Sequence, residues 1–285
     1  MIIDVHTHVF PERIAKAAVS KLQAGSHTAL FSDGTAAGLS VRERAAGVGM
    51  AWVQPVATNP AKLAHMNDFV LQINENTGET GLFSFGAMHP ASPDWEAELE
   101  RLKAAKVPGI KLHPPYQGVD IDAPRSLAVL KKCRELGLMV LIHSGEDVGV
   151  PNATQADPRR IRRALDAVGE ITLIAAHMGG WNKWQEAKRL LPETGAYLDT
   201  AFALGRMTPA PDGHPWREEE LRLLGEEAFC DMVAVFGADR VLFGTDSPWG
   251  DPEAEVAKIR GLSLREEEIQ KILGQNAAQL LTPKA

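Results

Sequence analysis

Histidine in this sequence gathers where short apolar runs end. Of nine histidines, His6 and His8 follow IIDV, His89 follows FGAM, His113 closes GIKLH, His143 closes LMVLIH and His177 closes LIAAH. Asp246 closes VLFGTD in the same way. Imidazole nitrogen and carboxylate oxygen are the ligands of Zn²⁺ and related divalent ions, and a catalytic site keeps a further position for water or substrate. The H-x-H spacing puts both rings on one face of a strand, because side chains alternate there with period two. A polar group at the end of an otherwise apolar strand needs a partner, since burying it alone costs roughly 1–3 kcal/mol. A metal ion supplies that partner, so the expected ligands are His6, His8, His143 and Asp246. Asp246 is also placed to accept a proton. His177, left over once four ligands are counted, suits general acid/base work, because imidazole titrates near neutrality.

These residues need elements that bring many strand ends to one place. Eight short runs are predicted as strands: Ile2–Val5, Ala51–Thr58, Leu82–Met88, Pro108–His113, Leu138–His143, Ile171–His177, Gly195–Asp199 and Arg240–Asp246. Several are apolar on successive residues, as suits strands covered on both faces. Helix signals separate them. Ser92-Pro93 and Asp157-Pro158 open helices, Gly169 closes the second, Pro124 begins a helix that Gly137 ends, and Ser263 with Glu266 spells a capping box. Strands alternating with helices predict a parallel sheet. Eight strands in 285 residues favour a single (β/α)₈ TIM barrel over an open sheet, and neither glycine-rich nucleotide-binding motif is present. In such a barrel the chemistry sits at the C-terminal ends of the strands. Gly25–Gly49 and Arg206–Trp216 exceed a minimal barrel and are expected as extended loops over the active-site mouth. No linker or composition shift divides residues 1–285, which read as one domain.

The bulk properties fit a soluble enzyme. Hydrophobic residues make up 45 % and charged residues 24 %, and the net charge is −7. An acidic surface argues against nucleic acid and anionic membranes as partners. No apolar run reaches the 18 residues of a membrane span, and the N-terminus lacks the pattern of a signal peptide. A cytoplasmic location is expected, with Cys133 and Cys230 reduced.

Taken together, IIDVHTHVFP, GIKLHPPYQG, VLIHSGE, AAHMGG, VLFGTDSPW and the closing ILGQNAAQLL resemble the amidohydrolase superfamily. The similarity is to the branch that includes aminocarboxymuconate-semialdehyde decarboxylase and related metal-dependent hydrolases, and it runs from Ile2 to Leu281. The resemblance implies ligation by His6, His8, His143 and Asp246 and a catalytic role for His177. It leaves Lys111 with three readings: a binder of a substrate carboxylate, a carboxylated bridge between two metals as in binuclear members, or a structural ion-pair partner. Nuclease-like relatives carry glutamate where this chain has Lys111, which argues against a nuclease. His113 and Trp249 join Lys111 as candidate substrate-binding residues. His89 is expected to order its loop.

The expected reaction is hydrolysis of an ester, lactone or amide of a small, carboxylate-bearing substrate. A divalent ion lowers the pKa of bound water from 15.7 towards about 7. The alternative is metal-dependent, non-oxidative decarboxylation of an unsaturated or aromatic acid. A third reading, a barrel that binds a small molecule without turnover, would predict a gap in the ligand set, and none is missing. One Zn²⁺ is expected, with Mn²⁺ or Fe²⁺ as alternatives and two ions if Lys111 is carboxylated. The partner is a small molecule, and a homo-oligomer is open.

Overall fold

Strand β1 (Ile2–Thr7) is buried along its whole length, although three of its six residues are Asp4, His6 and Thr7. Polar residues survive there because each meets a partner: Thr7 Oγ1 donates to the Trp52 carbonyl at 3.0 Å, and Asp4 accepts the His6 N–H at 2.9 Å. The computed structural model describes residues 1–282, so Pro283–Ala285 of the expected domain lie outside the described residues.

The chain forms two compact units. The first comprises residues 1–53, 77–82 and 199 onwards, and the second residues 54–76 and 83–198. In the first, β1 runs parallel to β2 (Val48–Val53), with Ile3 opposite Met50 and Asp4 opposite Ala51. On its other side β1 meets the segment after β9 (Val241–Leu242): the Val5 N–H donates to the Phe243 carbonyl and the Asp246 N–H to the His6 carbonyl, both at 2.8 Å. The parallel run therefore delivers His6, His8 and Asp246 to one end.

In the second unit, β4 (Gly86–Ala87), β5 (Gly109–Leu112), β6 (Met139–Ile142), β7 (Leu173–Ala175) and the first residues of β8 (Tyr197–Asp199) lie side by side in sequence order, all parallel. Lys111 stands level with Ala87 and Leu141. Helices between them carry the expected caps: Pro124–Leu136 ends at a left-handed Gly137, and Pro158–Val168 ends at Gly169.

Four local expectations are corrected. The run Leu82–Met88 is broken into β3 (Leu82–Ser84) and β4, because the Asn74 side chain takes both the N–H and the carbonyl of Ser84. The second strand is Val48–Val53 rather than Ala51–Thr58, ending before Pro55. The helix after Ser92-Pro93 starts later, as Trp95–Ala104, and Ser92 instead closes a turn onto the His89 carbonyl. Ser263 bonds Glu226 through both its N–H and Oγ, and the last helical segment starts at Glu266 behind Arg265. The segment 25–49 holds the helix Ala36–Ala45. Before that helix, the Ala29 N–H donates to the Thr208 carbonyl and the Phe31 N–H to the Pro248 carbonyl. The two long loops thus pair with each other and with the loop that follows Asp246. Among the described residues no helix is long and apolar enough to cross a membrane.

Candidate active site

In the first unit, His8 Nε2 lies 3.1 Å and His6 Nε2 3.6 Å from Asp246 Oδ1. Donors held about 2.0–2.2 Å from one ion sit roughly 3–3.5 Å apart, so these three atoms are spaced as a ligand set. His6 is 1 % exposed and His8 is buried. Asp246 adopts a left-handed backbone (φ 61°), which aspartate tolerates better than most residues. His6 presents Nε2 because its Nδ1 lies 2.9 Å from Asp199 Oδ2, and the Asp199 carboxylate is fully buried. The Trp249 ring stands edge-on to His8 at 5.6 Å, with its indole nitrogen buried and unpaired. On donor chemistry the cluster fits a divalent transition ion.

Asp4 adds a third, fully buried carboxyl. Asp4 Oδ1 accepts the N–H groups of His6 (2.9 Å) and Thr245 (3.2 Å), and its Oδ2 meets Thr245 Oγ1 at 2.5 Å. Burial pushes the Asp4 carboxyl up to about 8 against these hydrogen bonds. Glu43, on the helix Ala36–Ala45, is pushed up to about 10 by burial and by the neighbouring Asp4 carboxyl.

In the second unit, His143 and His177 follow β6 and β7, and His143 Nδ1 lies 3.0 Å from His177 Nε2. Burial pushes the His143 imidazole down to about 3, helped by His113 and Lys111, so the ring is neutral. His177 and Met178 both hold left-handed backbones, and the Trp184 indole N–H donates to the His177 carbonyl at 3.0 Å. His113 stacks on His143 at 4.2 Å, faces Asp147 Oδ2 through Nε2 at 3.5 Å and accepts the Tyr116 N–H at the start of a short helical turn. Burial works to raise the Asp147 carboxyl, but His113 and His143 hold it below the usual carboxylate range. Lys111 is fully buried within β5.

The structure thus gathers His6, His8, Asp246 and Trp249 in one cluster, and Lys111, His113, His143 and His177 on neighbouring strands of the other unit. His89 accepts the Ala91 N–H at 3.1 Å, in keeping with a loop-ordering role. Glu146 is partly buried and paired with Lys183 and Asn182. Sequence reasoning missed Asp199, Asp147, Asp4 and Glu43. Asp199 carried a usable signal, since it ends the run AYLD as Asp246 ends VLFGTD. Asp147 and Glu43 carried none.

Comparison with known proteins extends this reading. The fold matches an uncharacterised TIM-barrel protein of Bordetella bronchiseptica at a TM-score of 0.78, with 18 % identity and 98 % of each chain covered. It also matches the 5-carboxyvanillate decarboxylase of Sphingomonas paucimobilis (TM-score 0.66, 17 % identity, 98 % of each chain). A third match is a protein of Acinetobacter baumannii named as a probable 2-pyrone-4,6-dicarboxylic acid hydrolase (TM-score 0.62, 15 % identity, 98 % of each chain). The comparison with curated proteins gives no match. The fold is the (β/α)₈ barrel, and the family model described as amidohydrolase matches residues 3–282. Fold, motif order and family model agree, and the chain belongs to the amidohydrolase family of metal-dependent enzymes.

Proposed function

We propose that this enzyme hydrolyses an ester, lactone or amide bond in a small, carboxylate-bearing molecule, using one divalent ion, Zn²⁺ in the first instance. The observation that carries the reading is the convergence of His6, His8 and Asp246, three buried or half-buried donors spaced as ligands of a single ion. An ion held there supplies Lewis acidity and lowers the pKa of a coordinated water. His6 and His8 contribute neutral lone pairs, and Asp246 holds an anionic oxygen that can accept a proton. By motif, His143 is proposed as a further ligand and His177 as the group that hands a proton to the leaving atom. Lys111, buried on β5 one strand from His143, is proposed to pair with the substrate carboxylate, since an ammonium is a strong point-charge partner for an anion. His113 and Trp249 are proposed to line the substrate's place. A cytoplasmic enzyme acting on a small molecule completes the proposal.

Decarboxylation is the second reading. It is favoured by structural likeness to decarboxylases acting on 5-carboxyvanillate and 2,6-dihydroxybenzoate, and Lys111 would serve there equally by holding a carboxylate. The deciding experiment incubates the Zn²⁺- and Mn²⁺-loaded protein with 2-pyrone-4,6-dicarboxylate, simple lactones and esters, 5-carboxyvanillate and 2,6-dihydroxybenzoate. Ring-opened or cleaved product without CO₂ supports hydrolysis. CO₂ release without water incorporation overturns it in favour of decarboxylation.

A further inference from the structure

We propose that Asp199 is a positioning residue that holds His6 in the one tautomer able to bind a metal. The inference rests on the metal-site reading above. Neutral imidazole carries one proton, and the nitrogen without it is the only one that can ligate. His6 has two candidate nitrogens. Nδ1 lies 2.9 Å from Asp199 Oδ2, and Nε2 lies 3.6 Å from Asp246 Oδ1.

A carboxylate accepts and does not donate, so the Asp199 contact places the proton on Nδ1 and leaves the lone pair on Nε2, facing Asp246. Both partners are essentially solvent-free, at 1 % and 0 % exposure. In such surroundings the alternative tautomer would set a lone pair against a carboxylate, with no water to relieve it.

Asp199 is itself aimed. It is the last residue of β8, and its Oδ1 accepts the Ala201 N–H at 3.2 Å, which fixes the carboxylate plane. A charged acceptor also makes Nε2 more basic and a better donor to a cation. His8 differs: its Nε2 faces Asp246 and its ring packs edge-on to Trp249 and to His6. His6 is thus held by a buried acid 193 positions away.

The test uses the full chain labelled with ¹⁵N-histidine, with His6→Gln to assign the His6 signals. In metal-free wild type the His6 ring shows the Nδ1–H tautomer. In Asp199→Ala it shifts towards Nε2–H, and Zn²⁺ affinity, measured by chelator competition, falls about 10- to 100-fold. Asp199→Asn, nearly isosteric, retains an acceptor oxygen without charge and recovers part of the loss. An Nε2–H tautomer for His6 in wild type overturns the proposal, as does Zn²⁺ binding by Asp199→Ala within about twofold of wild type. Failure of wild type to take up Zn²⁺ would instead strike the metal-site reading. The tautomer measurement on wild type needs neither metal nor a variant at Asp199, and it decides the role of Asp199 in either case.

Discussion

His177 Nε2 lies 3.0 Å from His143 Nδ1, and the other nitrogen of His143 faces the Glu146 carbonyl at 2.8 Å. A carbonyl only accepts, so Nε2 of the neutral His143 carries its proton and Nδ1 is bare. His177 then donates from Nε2 to that bare nitrogen. The network assigns these protons: His143 Nδ1 is the acceptor and His177 Nε2 the donor of this contact.

The first prediction follows from that division. His177→Asn lowers kcat by about 10²–10⁴-fold, the usual contribution of a positioned acid or base, and leaves metal content intact. His143→Ala loses both metal and activity. Elemental analysis beside steady-state kinetics separates the two. Loss of metal in His177→Asn would make His177 a ligand instead.

Removing the metal should abolish turnover without unfolding the chain, because the barrel has an ample apolar core. Dialysis against a chelator is expected to leave the circular dichroism unchanged. Zn²⁺ or Mn²⁺ should restore activity and raise Tm as the ion concentration exceeds its Kd. Restoration by neither ion would contradict the proposed chemistry.

Lys111→Met keeps the shape of the buried chain and removes its charge. If Lys111 holds the substrate carboxylate, KM rises by about 10- to 100-fold while metal content stays at one ion, since a charge-assisted contact is worth roughly 1.5–3 kcal/mol. A fall from two ions to one would identify a carboxylated bridging lysine.

Glu43 makes stability depend on pH. Its carboxyl is pushed up to about 10 in the folded chain, from an ordinary value of 4.5, by burial and by Asp4, itself pushed up to about 8. Between those limits the folded state keeps a proton that the unfolded state has released. The contribution of Glu43 to stability is therefore full below about pH 4.5 and is lost as pH rises towards 10. Glu43→Gln, neutral at every pH, should flatten that decline. A thermal melt at pH 9 is expected to show it a few degrees above wild type, and an unchanged slope would refute the assignment.

Gly109 begins β5 where a methyl group has no room. A Cβ there would come within 2.6 Å of the Met139 carbonyl oxygen and 2.7 Å of the Phe85 ring. The carbonyl belongs to a paired strand and cannot yield, so Gly109→Ala should cost about 1–3 kcal/mol. Chemical denaturation would measure it, and a neutral result would mean that the strand can slide.

Much of this was legible along the chain, because it depends on neighbours in sequence. Apolar runs mark the strands, prolines and glycines mark helix ends at Pro124, Gly137 and Gly169, and period two puts His6 and His8 on one face. Strand ends then pointed to His143, His177 and Asp246. Tertiary structure decided the partnerships. Asp199 meets His6 across 193 positions, and Thr245 meets Asp4 across 241. Asn74 cuts the third run by capturing Ser84. Local pattern records which face a residue takes. It does not record which distant side chain arrives opposite, since that is set by strand register and by helices returning over the sheet. The tautomer of His6, the neutrality of His143 and the protonation of Glu43 all follow from such arrivals.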